Sequence, residues 1–113
     1  MPKAEVISTP HFLRELKKLA KRYRSIRSDV DKLIAGLQVN PLQGTDIGRN
    51  MRKMRMAISS KNQGKSGGAR VITHVVIEIE SSVVKLLTIY DKSDKENLSE
   101  GELNILLKRN NLL

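Results

Sequence analysis

Three observations predict an α+β domain in which helices pack on an antiparallel sheet. Apolar residues recur at helical spacing in two stretches before Pro41, they alternate with a period of two from Met51 to Ile89, and a helix-start signature follows at Ser99. The predicted order is short strand, helix, helix, three strands, helix, within one domain spanning residues 1–113.

Glu5 to Ser8 is a short β-prone run, and Thr9-Pro10 then supplies an N-cap residue followed by proline at the first helical position. Phe12, Leu13, Leu16, Leu19, Ala20 and Tyr23 share helical spacing, while Arg14, Lys17, Lys18, Lys21 and Arg22 fill the other positions. That pattern is a strongly basic amphipathic helix. Ser25 is placed to cap a second helix carrying Ile26, Val30, Leu33, Ile34 and Leu37, which Asn40-Pro41 ends. The short join between the two implies an antiparallel helical hairpin. Leu42 to Arg49 is polar, with Gly44 and Gly48 as turn points, and reads as a connection.

Strands are predicted at Arg52–Ile58, Arg70–Ile79 and Val83–Ile89. Between the first two, KNQGKSGG forms a glycine-rich cationic loop with Lys61 and Lys65, and Glu80-Ser81-Ser82 makes a tighter turn into the third. On the first strand Lys53, Arg55 and Ala57 take one side and Met54, Met56 and Ile58 the other, because strand side chains alternate. The methionines are expected in the core and the cations on a sheet face left free for function. Ser99 and Glu102 have capping-box spacing, with Leu98 and Leu103 as the hydrophobic staple. The final helix should run from Glu100 to Lys108, bury Leu103, Leu106 and Leu107, and leave a fraying Asn110-Asn111 tail.

The 21 basic residues against 12 acidic ones give a net charge of +9, which favours nucleic acid, the ribosome or an acidic protein as partner. The chain has no cysteine, so disulfides, thiolate nucleophiles and cysteine-based zinc sites are excluded and a reducing cytoplasm is the simplest home. The amino terminus lacks the apolar stretch of an export signal, and no run approaches membrane-spanning length. His11 and His74 are isolated from ligand-spaced partners, so neither metal nor cofactor is expected.

The charge is unevenly placed. Ile47 to Ile77 holds seven Lys and Arg residues and no Asp or Glu. Arg52, Lys53 and Arg55, then Arg70, then Tyr90 and Lys92 at the end of the next β-rich run, together suggest a polyanion site. Each has a structural alternative: solvated strand cations for Lys53 and Arg55, an ion pair with Glu78 or Asp91 for Arg70, and a half-buried core position for Tyr90.

Four segments carry a family resemblance: F-L-R-E-L-K-K-L at Phe12 to Leu19, K-M-R at Lys53 to Arg55, G-G-A-R-V-I at Gly67 to Ile72, and L-L-T-I-Y-D-K at Leu86 to Lys92 before the S-x-x-E helix start. The chain resembles the RelE/ParE superfamily of type II toxin–antitoxin toxins, and most closely the RelE- and HigB-like mRNA interferases. The resemblance implies a RelE-like fold and a toxin that cuts mRNA in the ribosomal A site and is held inactive by a cognate antitoxin. It implies that Lys53 and Arg55 are the paired cations of the first central strand, Arg70 the phosphate-binding arginine and Lys92 the basic residue after the third strand. Tyr90 stands in a Y-x-K arrangement similar to that of HigB-type relatives, and no tyrosine follows it in the terminal segment.

RNA supplies its own nucleophile in the 2′-hydroxyl, so such an enzyme needs only to place and polarise it. Arg70 is the first choice for the phosphate, because guanidinium binds it bidentately. A lysine crowded by other cations can give up its proton and act as general base, and Lys53 is the candidate. Lys92 or Tyr90 could protonate the leaving oxygen, or Tyr90 could stack on a base. Arg52, Lys61, Lys65, Lys95 and, on the first helix, Lys17, Lys18 and Lys21 are candidate RNA contacts. Two other classes stay open: a ParE-like toxin whose partner is DNA gyrase, and a non-catalytic RNA- or ribosome-binding module.

Overall fold

A computed structural model describes residues 3–62 and 64–113; Met1, Pro2 and Gln63 of the predicted loop lie outside the described residues. Among them, β1 (Glu5–Ser8), β2 (Thr45–Gly48), β3 (Met51–Met56), β4 (Ala69–Ile77) and β5 (Ser82–Asp91) form one sheet in the order β1-β5-β4-β3-β2. Helices α1 (Pro10–Ala20) and α2 (Ile26–Val39) precede β2, α3 (Glu100–Arg109) follows β5, and a short 3-10 turn occupies Ser59–Lys61.

The predicted elements all form, with two differences in the sheet. β2 through β5 pair antiparallel, but β1 lies parallel to β5, so the sheet is mixed. The stretch Leu42 to Arg49, expected to be a connection, contains β2. The turn sits one step later than the glycines suggested: Arg49 and Asn50 both adopt positive φ, as a two-residue hairpin requires, and an Asp46/Gly48 register shift hides the alternation in the sequence.

Thr9 joins the first helix to the sheet. Its Oγ1 accepts the Phe12 N–H as the N-cap and donates to the Leu86 carbonyl at 2.7 Å. Ser25 does not cap α2; its hydroxyl bonds instead to Asp29 and to Ser60. The predicted capping box on α3 is complete, and Leu98 packs in the cluster that contains Leu103. The tail beyond α3 closes rather than frays: Asn111 is left-handed and the Leu112 N–H reaches the Leu107 carbonyl at 2.8 Å, a Schellman motif.

Both sheet faces are covered in part. Phe12, Leu16, Ile26, Leu37, Met54, Met56, Val71 and Ile89 fill the core beneath α1 and α2, and Met51, Ile72, Leu87, Leu103 and Leu107 fill a smaller one beneath α3. The expectation of a wholly free second face is thereby corrected. A bulge decides what lies there: Ile72 pairs with Thr88 and Thr73 with Leu86, which leaves Leu87 as the extra residue. Val84 and Leu86 face the larger core, and after the bulge Ile89 does, so Tyr90 is turned to the α3 side.

Candidate functional site

The bulge brings Tyr90 directly opposite Arg70, and Arg70 is directly opposite Arg55 on β3. Opposed antiparallel residues hold their Cβ atoms roughly 4.5–5.5 Å apart, so the three side chains make one stripe across three strands. Lys53, opposite Ile72, is the diagonal neighbour of Arg70 on β3. Lys92 extends the ladder one residue beyond β5, with its N–H on the Gly68 carbonyl at 3.1 Å. Diagonal neighbours lie roughly 7–8 Å apart, within reach of long cations. The five residues predicted to form the centre therefore gather at one end of one sheet face.

Their side chains are engaged to different degrees. Arg70 is 5% exposed, and its guanidinium meets neither Glu78 nor Asp91. It donates to the carbonyls of Lys65 at 3.0 Å, Ser66 at 3.2 Å and Ala69 at 3.1 Å, clamping the glycine-rich loop. The Lys53 ammonium donates to Asn97 Oδ1 at 2.7 Å. Among the described residues, no side-chain hydrogen bond or ion pair holds Arg55, Lys65 or Lys92. The Tyr90 hydroxyl is enclosed and, among the described residues, has no hydrogen-bond partner. Burial raises its pKa above the ordinary tyrosine value, with the Arg70 charge opposing and Glu102 adding to the rise. The phenol is thus protonated at neutral pH.

The remaining predicted contacts do not converge there. Lys61 is corrected to a structural cation: its ammonium bonds to Asp91 at 2.8 Å and to Ser93 at 2.6 Å and is largely covered. Arg52 is on the opposite face from Lys53 and Arg55, across from Thr73, with Asp46 4.0 Å from its guanidinium. Lys95 pairs with Glu102. Lys17 and Lys18 are exposed on α1 and Lys21 at its C-cap, and Lys18 pairs with Glu15 at 3.1 Å.

Asp91 anchors a second cluster, on the α1 side of the sheet. Only 1% exposed, it accepts from Lys61, Ser93, Arg22 at 3.2 Å and the Tyr23 hydroxyl. Burial opposes its ionisation, but these donors outweigh burial and hold its carboxyl far below the usual carboxylate range. Asn97 and Glu102 also shape the site, and the sequence reading missed both roles. Glu102 was legible only as a helix cap, and nothing in the sequence around Asn97 marks it as the acceptor for Lys53.

No protein-family model matches the chain, and no curated protein sequence is significantly similar to it. A solved structure does align: a double-arginine mutant of the E. coli toxin RelE in the free state, at a TM-score of 0.61 over 96% of this chain and 98% of that one, with 17% identity. The fold is RelE-like.

Proposed function

We propose that this protein is the toxin of a type II toxin–antitoxin system, an mRNA endoribonuclease that acts on ribosome-bound message and is restrained by a cognate antitoxin. The observation that carries this reading is the stripe of Arg55, Arg70 and Tyr90 across three strands, flanked by Lys53 and Lys92, on a surface where, among the described residues, the Arg55 and Lys92 side chains have no hydrogen-bond or ion-pair partner. The RelE-like fold supports the same class.

In this reading Arg55 and Lys92 meet the non-bridging oxygens of the scissile phosphate, where negative charge grows during in-line attack. Arg70 has a changed role: its fork holds the loop carbonyls and fixes the stripe, so it is a positioning residue. Lys53, oriented by Asn97, is the candidate base, taking the 2′-hydroxyl proton in its free amine form. As the 2′-oxygen bonds to phosphorus, the bond to the 5′-oxygen breaks, and Lys92 is the candidate to protonate that leaving group, because the Tyr90 hydroxyl is enclosed. The products are a 2′,3′-cyclic phosphate and a 5′-hydroxyl, and the chemistry needs no metal because the substrate contains its nucleophile.

Cleavage of mRNA in a purified translation system with a stalled ribosome tests this, run beside a gyrase supercoiling assay. The expected result is A-site cleavage by the wild type that Arg55→Ala abolishes. Intact mRNA with inhibited gyrase would assign the protein to the ParE-like class, and inactivity in both would leave a binding module.

A further inference from the structure

β3 outruns its neighbour. β2 pairs with it only as far as Thr45 opposite Lys53, yet β3 continues to Met56. The direction of the unpaired groups follows from two close approaches. A Cβ on Gly68 would lie 2.1 Å from the Met56 carbonyl oxygen, so that carbonyl points towards β4; a Cβ on Gly44 would lie 2.7 Å from the Lys53 carbonyl oxygen, so that one points towards β2. In an antiparallel ladder successive residues alternate between neighbours, which turns the N–H and C=O of Arg55 outward beyond the end of β2. Among the described residues, no backbone hydrogen bond from β2 or from a loop meets them.

They open into a cleft of about 320 Å³ between α2 and the edge of β3. That volume is at the lower end of the roughly 300–1,000 Å³ of small-ligand pockets, room for one nucleotide unit. Leu33, Met54 and Met56 line it with apolar surface, and Lys32, Arg55 and Lys65 bring three cations to it. Its one carboxylate, Asp29, accepts from Ser25 Oγ at 2.8 Å and from Ser59 N and Oγ at 2.9 and 2.5 Å, which ties it into the wall. Gln43 adds an amide at the mouth.

We propose that this cleft is a subsite for the nucleotide next to the scissile phosphate, an assignment that rests on the ribonuclease reading above. The base lies against the thioethers of Met54 and Met56, which suit an aromatic face. Its polar edge meets the adjoining donor and acceptor of Arg55 and the amide of Gln43. The flanking phosphate lies among Lys32, Arg55 and Lys65. Arg55 thus belongs to both places, its guanidinium at the reacting phosphate and its backbone at the neighbouring base. A nucleotide fits better than an added peptide strand. Strand addition needs a run of outward-facing groups, whereas beyond the end of β2 the strand itself offers one complete donor–acceptor pair, that of Arg55, before β3 ends at Met56.

The test is an NMR titration of the full ¹⁵N-labelled chain with 2′-O-methyl RNA tetranucleotides, whose blocked hydroxyl prevents cleavage. The expected result is shifts of the Arg55, Gly36 and Gln43 amides together with those of Tyr90 and Lys92. Gly36→Leu fills the cleft; a Cβ there meets only the flexible end of Gln43, at 3.2 Å. It should weaken binding about tenfold and remove the Gln43 response while leaving that of Tyr90. Lys32→Glu, on the exposed side of α2, provides the same test without adding bulk and should also weaken binding. Shifts confined to Tyr90 and Lys92 and unaffected by either variant would overturn the subsite and leave the ribonuclease reading standing. No shift anywhere would overturn the subsite, and the ribonuclease reading would then be decided by the stalled-ribosome assay. Cleft shifts caused by an acidic peptide but not by RNA would reassign the cleft to a protein partner.

Discussion

Two charged clusters stand on opposite faces of the same sheet, at the same end, and they are organised in contrary ways. Around Asp91 a buried carboxylate is met by Lys61, Arg22, Tyr23 and Ser93. Across the sheet, among the described residues, Arg55 and Lys92 have no counter-charge and the Tyr90 hydroxyl has no hydrogen-bond partner. Adjacent residues of one strand, Tyr90 and Asp91, belong to the two clusters. The difference teaches where to look for function in a basic protein: a cation count does not separate structural charge from charge held for a ligand, and the separation here is made by which side of β5 a residue faces.

Arg55→Ala is the sharpest way to break that comparison. It should lower A-site cleavage about 10²–10³-fold, the loss typical of one transition-state donor. Because Arg55 is exposed and unpaired, the melting temperature should barely move. A large stability loss in a thermal melt would place Arg55 with the structural cations.

Asp91→Asn should do the reverse, with a stability loss of about 3 kcal/mol in urea unfolding, since it leaves buried donors without their charge. The accompanying pH dependence has a fixed sign. Asp91's pKa is depressed in the folded protein, so its stabilisation is complete above the unfolded carboxylate value of about 3.9 and is lost as pH falls towards the folded value. Wild-type stability should drop below about pH 4, and the drop should be smaller in Asp91→Asn.

Arg70→Lys retains the charge but not the fork that grips the loop carbonyls. It should lose about 1–2 kcal/mol of stability and increase amide exchange in residues 64–68, which exchange mass spectrometry would detect. If exchange there is unchanged while cleavage vanishes, Arg70 contacts the phosphate itself and the positioning role is wrong. The smallest effect belongs to the α1 surface. Lys21→Gln should change stability by less than about 0.5 kcal/mol, and its effect on ribosome binding should fade with added salt. A salt-independent loss would mean that α1 makes a specific contact.

The fold was legible where periodicity is long or capping chemistry is specific: Thr9-Pro10, the Ser99–Glu102 box and the Met54/Met56 alternation all lead to what forms. β2 was hidden because four residues with a register shift show no clean alternation. The candidate site was legible as a set, since Lys53, Arg55, Arg70, Tyr90 and Lys92 do gather. The facing of Tyr90 was not, because it depends on the extra residue at Leu87, and a bulge leaves no mark within the apolar pair Leu86-Leu87. Lys61 and Lys65 look alike in one loop, and only the distance to Asp91 separates them. The partners of Arg70 were hidden for a related reason: its acceptors are backbone carbonyls, which every residue type carries.

The parallel pairing of β1 has a consequence for when the molecule becomes whole. Glu5 to Ser8 register with Val83 to Leu86, and the hydroxyl that caps α1 donates to the Leu86 carbonyl. β1 must therefore wait for β5 before its edge of the sheet can close, and contacts so distant in sequence are slow to form. Tyr90 and Lys92 are delivered by that same late strand. A nascent chain cannot assemble the basic stripe until β5 has been made, so the stripe forms late, together with the β1 edge on the far side of the same strand.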